Sequence, residues 1–399
     1  LFRSIHLIFI NLKSQNRFHG QMNKSVAVIG GGIFGISTAL ELSKNFDVKL
    51  YERSEELLSG ASTNNHLRHH RGYHYPRSKS TALECIKAQE SFEREYGECI
   101  IRPFDHYHAI AKEGSKTNPG DYLKFCEELG LPYEIVEPDG SLINKERVSL
   151  TVKVPEYSYD PGKMLELARA KLRKSRLEVK LSHEITGGEI KGNRKILKIS
   201  SPSGSQIEKF DFVINATYCN FNSFNKWFGL PRRKVLYELV EMLEVELPIK
   251  EKLGLSIFDG DFTTIMPRPQ EGRFTLAHIK EEILKEVVSD NLDPEVMVSG
   301  NIKTNRENIL KASILDFPIL NEAKVIRPIY ITRVVKANVD DTDERPSEIT
   351  DHGNGLFTLF SGKIVTCVEI ARKVAEMLKY EGRIPYKREQ HGISTHDIR

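Results

Sequence analysis

No hydrophobic run in this chain is long enough to cross a bilayer, neither sign of charge prevails, and cysteine is sparse. The apolar stretch Leu7-Ile8-Phe9-Ile10 is far too short for a span, and no clear small-residue cleavage site follows it. Lysine and arginine number 58 against 55 acidic residues, a net charge of +3, so a nucleic-acid partner is not implied. The five cysteines, Cys85, Cys99, Cys126, Cys219 and Cys367, are odd in number and show no paired metal-ligand spacing. That usage fits a reduced compartment and supplies neither a disulfide framework nor a metal site. There is no internal repeat or low-complexity tract. The expectation is a soluble, cytoplasmic protein without an integral membrane span, for which peripheral membrane contact stays open. The first methionine is Met22, so residues 1–21 are expected to form a loosely ordered extension.

What the chain does have is length and one organised stretch. Its 399 residues, 39% hydrophobic and 28% charged, suffice for two substantial domains. Val26–Ile29 is a short β-branched run that breaks into glycines, and Ile33, Ile36 and Leu40 then recur at helical spacing. Gly30, Gly32 and Gly35 stand in the G-x-G-x-x-G arrangement: one glycine for the tight turn, one for close approach to a pyrophosphate, one for packing helix on strand. Amides at the helix start, Ile33 and Phe34 among them, then face the phosphates. A second strand, Val48–Tyr51, ends in Glu52 and Arg53, and the Glu52 carboxylate falls at the spacing of a ribose ligand. Together these point to an adenine dinucleotide, FAD or NAD.

Downstream, the small residues around Gly60, Ala61 and Ser62 suit a loop that a ligand approaches closely. Residues 66–75 then concentrate four histidines, two arginines and two tyrosines. No carboxylate or cysteine lies among them, so a metal site is not expected. Groups that titrate near neutrality, beside cations that bind carboxylate or phosphate, suit oxidation of a small anionic molecule.

The opening strand, the glycines, Glu52 and the Gly60-Ala61-Ser62 loop resemble the FAD-dependent oxidoreductases related to D-amino-acid oxidase. His70-x-Gly72-x-x-Tyr75, followed by Pro76, Ala82 and Cys85, is similar to a stretch of L-2-hydroxyglutarate dehydrogenases. Glycerol-3-phosphate dehydrogenases carry a similar run, and the stretch from Gly355 to Thr366 resembles their C-terminal flavin contact, with Gly362, Lys363 and Ile364 at a helix start. The resemblance implies FAD rather than NAD, an oxygen or quinone acceptor, and an α/β fold in two parts. A Rossmann-like FAD-binding domain (24–80, 158–220 and 325–385) would interleave with an antiparallel-sheet substrate domain (81–157 and 221–324), leaving a tail from 386. Ala216 and Thr217 would close on the cofactor, although Tyr218 stands where the family commonly has glycine.

The expected chemistry is hydride removal from a hydroxy acid or polyol phosphate. His70 is the first choice of base and His74 the second, since an imidazole suits proton removal from a hydroxyl. Arg333, placed where the resembling families often carry an arginine facing the flavin, would hold the anionic group with a fork that matches two oxygens. Arg71, Tyr75, Tyr237 and His278 are further candidates for substrate contact. Amine oxidation is the close alternative, and a non-catalytic FAD-binding sensor or subunit the alternative of another class.

Overall fold

Alternation along the first strand decides how the molecule is layered. In Ser25–Ile29, Val26 and Val28 enter one hydrophobic core while Ala27 and Ile29 enter another, as successive side chains of a strand must. A strand buried on both faces belongs in the middle of a covered parallel sheet. The computed structural model, which describes residues 24–337 and 344–380, puts it there, with Phe212–Asn215 and Asp47–Tyr51 paired parallel on either side. The six-stranded sheet continues outward through Leu356–Phe360 and Glu348–Asp351 on one flank and Glu178–Lys180 on the other. The expected extension at 1–21 and the tail from 386 lie outside the described residues.

One face of this sheet packs against the helices Ile33–Leu42, Lys79–Tyr96, Pro161–Lys174 and Cys367–Tyr380. The other is covered by an antiparallel meander, Glu184–Lys191, Arg194–Ser201 and Gly204–Phe210, and by the helix Phe221–Trp227. Local signals set several of these boundaries: Asp160 accepts from the amides of Gly162 and Lys163 ahead of Pro161, a capped start with proline in the first turn.

The second part is a nine-stranded mixed sheet. Its long strand Val235–Glu246 pairs along its length with Lys324–Lys336. The return to the cofactor sheet therefore comes at Glu348 and not at 325, because hydrogen bonding holds Lys324–Lys336 in the other sheet. The helix Lys79–Tyr96 likewise departs from the division at 81: Ala82, Cys85, Ala88 and Phe92 join the core beneath the parallel sheet. Gly187-Gly188 lies inside Glu184–Lys191 at a register shift between Ile185 and Gly187. A glycine pair marks such an irregularity as readily as it marks a turn.

Candidate active site

The glycine turn is built from backbone contacts no side chain would permit. Gly30 has φ +107°, and a Cβ there would lie 2.6 Å from the Ala216 carbonyl oxygen. A Cβ on Gly35 would lie 1.8 Å from the carbonyl oxygen of Gly30, so the helix rests directly on the turn. At the start of that helix Gly32 caps without a side-chain bond, and the Ile33 amide donates to Ser62 Oγ at 3.0 Å. Glu52 accepts from the Gly31 amide at 2.6 Å and from the Ser54 amide at 2.9 Å, which fixes its carboxylate at the lip of the turn.

A cavity of ≈ 1060 Å³ opens from this turn, at the upper end of the ~300–1,000 Å³ usual for ligand pockets. Gly30, Gly32, Ile33, Phe34, Glu52 and Arg53 line one end, with Gly60, Ala61, Ser62, Ala216 and Thr217 beside them. His70, His74, Tyr75, Arg333, Gly362, Lys363 and Ile364 line the same cavity. Gly35 packs beneath it. A helix start at the cavity wall, a cradle that a Cβ would fill and a carboxylate at the strand end fit a dinucleotide.

His70 and His74 lie with ring centroids 5.8 Å apart, and each packs on Tyr75. Among the described residues, Nδ1 of each ring is buried without a hydrogen-bond partner. Burial pushes the His70 imidazole down to about 3, although Glu156 pulls the other way. Burial, reinforced by Arg68, holds His74 well below its ordinary value. Both rings are neutral at physiological pH, and burial disfavours the protonated form of each.

Beneath them sits a buried group that sequence reasoning missed. Arg68 donates to Glu156 Oε2 at 2.7 Å and to Ser256 Oγ at 2.7 Å, while Glu156 Oε1 accepts from the Arg71 amide at 2.9 Å. Burial alone would raise the Glu156 carboxyl, yet Arg68 and His108 hold it well below the usual carboxylate range. His106, His108 and Glu156 come close enough to offer three ligand atoms to a metal, but the Arg68 guanidinium already meets the carboxylate and lies 3.4 Å from His108 Nε2. Only the pairing of Arg68–His69 with Tyr157–Tyr159 brings Glu156 here, a long-range event that no local pattern announces.

Several expected substrate contacts fall elsewhere. Tyr237 is fully buried in a core with Phe221 and Val334, and neither it nor His278 lines the cavity; His278 instead accepts from the Glu281 amide in a turn. The Arg71 side chain turns away to the Pro155 carbonyl and the Tyr157 ring. Arg333 reaches the cavity already engaged: its Nε donates to Glu238 at 2.6 Å and a terminal nitrogen to Glu282 at 2.9 Å. Glu238 is its direct cross-strand partner. Burial works against the Arg333 charge, but the two carboxylates outweigh it and push its pKa up. Tyr218, at the family's glycine position, adopts φ +54°, the left-handed conformation that glycine reaches without strain, and its hydroxyl accepts from the Val334 amide.

Residues 25–304 match the family of FAD dependent oxidoreductases. The FAD-dependent monooxygenase kojA of Aspergillus flavus is 25% identical over 92% of this chain and 87% of its own length. The anaerobic glycerol-3-phosphate dehydrogenase subunit A1 of Haloferax volcanii is 23% identical over 88% of this chain and 63% of its own. Among solved structures, the L-alpha-glycerophosphate oxidase of Mycoplasma pneumoniae with FAD bound superposes with a TM-score of 0.71 at 15% identity, covering 90% of this chain and 95% of that one. That similarity speaks to the fold. No helix among the described residues is long and apolar enough to cross a membrane. On its fold, its dinucleotide cradle and its match over most of its length, the chain belongs to the family of FAD-dependent oxidoreductases.

Proposed function

We propose that the chain oxidises a small CH–OH donor, with FAD as hydride acceptor and His70 as the base. The observation that carries this reading is the placement of two neutral, unpartnered imidazoles, His70 and His74, in the same cavity as the dinucleotide turn. Bound FAD supplies the two-electron acceptor. The chain supplies the rest: the carbon–hydrogen bond of the donor breaks with its electron pair leaving as hydride, the hydroxyl proton passes to His70, and a carbonyl compound remains. The neutral imidazole is the form that accepts a proton, and the nearby Glu156 charge favours the imidazolium that results; Tyr75 and Phe258 pack against the neighbouring His74 ring. Lys363, whose ammonium donates to the Arg345 carbonyl and lies 3.3 Å from Glu84, places a positive charge in the same wall.

Relatives named as monooxygenase and as dehydrogenase leave two acceptors to separate, oxygen and a quinone. Purified yellow protein, mixed anaerobically with hydroxyl and amine compounds, should bleach with a hydroxyl donor and regain colour with oxygen or a quinone analogue. Bleaching by amines alone refutes the CH–OH reading; a flavin that no donor reduces refutes the enzyme.

A further inference from the structure

We propose that the donor is an uncharged hydroxyl compound, a polyol or carbohydrate-like molecule, and not a hydroxy acid or a sugar phosphate; this rests on the CH–OH reading above. The lining cations nearest the imidazoles are already paired from within the protein, whereas Lys226, on the helix Phe221–Trp227, lines the cavity without a carboxylate partner among the described residues. Arg333 carries two carboxylates, Glu238 and Glu282, and the Glu282 side chain is fully buried. Arg68 is paired to Glu156 with both side chains out of solvent. Lys363 faces Glu84, Lys336 faces Glu348 at 2.7 Å, and Arg53 is paired with Glu295. Arg345 is engaged within the protein as well.

An anionic donor could recruit Arg333 only by displacing Glu238 or Glu282, or by joining two carboxylates on one guanidinium. Leaving a buried carboxylate without its partner costs more than a contact at a partly wet arginine returns, and crowding three negative groups around one positive one is repulsive. What the cavity does present is uncharged hydrogen-bonding surface: the imidazoles of His70 and His74 and the hydroxyls of Thr332 and Tyr218. Such groups match the alternating donors and acceptors of a polyol. A second carboxylate on Arg333 also differs from a solitary arginine poised for an anion, since it lowers the local potential from the outset.

The test uses FAD-loaded full-length protein and two readouts. In the first, flavin reduction is followed anaerobically with matched pairs, 1,2-propanediol against lactate and glycerol against glycerol 3-phosphate, beside neutral hexitols. The neutral member is expected to reduce the flavin at least ~10-fold more efficiently, a factor equal to one unit of log affinity; preference for the anionic member overturns the inference. In the second, lactate and inorganic phosphate are titrated against the visible spectrum of the oxidised flavin, which needs no turnover. The wild type is expected to show no saturable change, whereas the doubly substituted Glu238→Gln/Glu282→Gln protein, which leaves Arg333 without either carboxylate, should gain one. Saturable anion binding by the wild type, or none by the folded double variant, overturns the inference. If no hydroxyl compound reduces the flavin while the titrations behave as stated, the CH–OH reading fails and the charge argument stands.

Discussion

At the scale of single residues, His70 and Glu156 do different work and should fail differently. His70→Asn keeps a polar group of similar reach but cannot accept the hydroxyl proton, so turnover should fall by ~10²–10⁴-fold, the usual worth of a general base, with FAD still bound. Unchanged single-turnover flavin reduction would dismiss His70, and the same substitution at His74 then identifies the base. Glu156 touches no expected reactant; its loss is structural. Glu156→Gln leaves the Arg68 guanidinium buried without a counter-charge, a change worth on the order of 3 kcal/mol. Urea unfolding should show a lowered midpoint with unaltered steepness, and an unchanged midpoint would mean that Arg68 finds another partner.

The glycine turn makes the corresponding argument for an element. Gly35→Ala drives a methyl into the Gly30 carbonyl, where the obstacle is backbone and cannot swing aside; a stability loss of ~1–3 kcal/mol and purification without yellow colour are expected. Gly97→Ala, at the end of the helix Lys79–Tyr96 and away from the cavity, adds a carbon that meets only the Glu93 side chain at 3.9 Å and should keep both colour and stability; equal flavin content in the two variants would contradict the packing account. This element was legible in the sequence because its determinants are local: apolar alternation, three glycines and an acid, all within Val26–Glu52. The Arg333 environment was not. Its partners Glu238 and Glu282 lie 95 and 51 residues away; Glu238 meets it through the register of Val235–Glu246 against Lys324–Lys336, and Glu282 through the Glu241 amide that its carbonyl accepts from, beside the pairing of Val240 with Ile283. A lone arginine in a strand reads as an anion clamp until that register is known.

Across the whole molecule, the same burial that keeps the imidazoles neutral should make the fold sensitive to acid. Burial lowers His69 to about 4 and His70 to about 3, and it lowers His74, His106 and His108 as well, from an unfolded value of 6.5. Above pH 6.5 these histidines are neutral folded and unfolded alike and contribute no pH dependence. As the pH falls below 6.5 the unfolded chain takes up protons that the folded chain refuses, so stability drops by about 1.4 kcal/mol per pH unit for every histidine still neutral in the fold. Glu156 and Glu282, which their cationic neighbours hold low against burial, act in the same direction at lower pH: the stability they contribute is present above the unfolded carboxylate value and is lost below it. Because His69, His70 and His74 belong to the segment that walls the cavity, FAD release should accompany the loss. Urea midpoints should therefore agree between pH 7 and 8 and fall steeply between pH 6 and 4, with flavin fluorescence rising over the same interval. A midpoint at pH 5 equal to that at pH 8 would show that these imidazoles take up protons inside the fold as readily as in the unfolded chain, and the burial argument would fall.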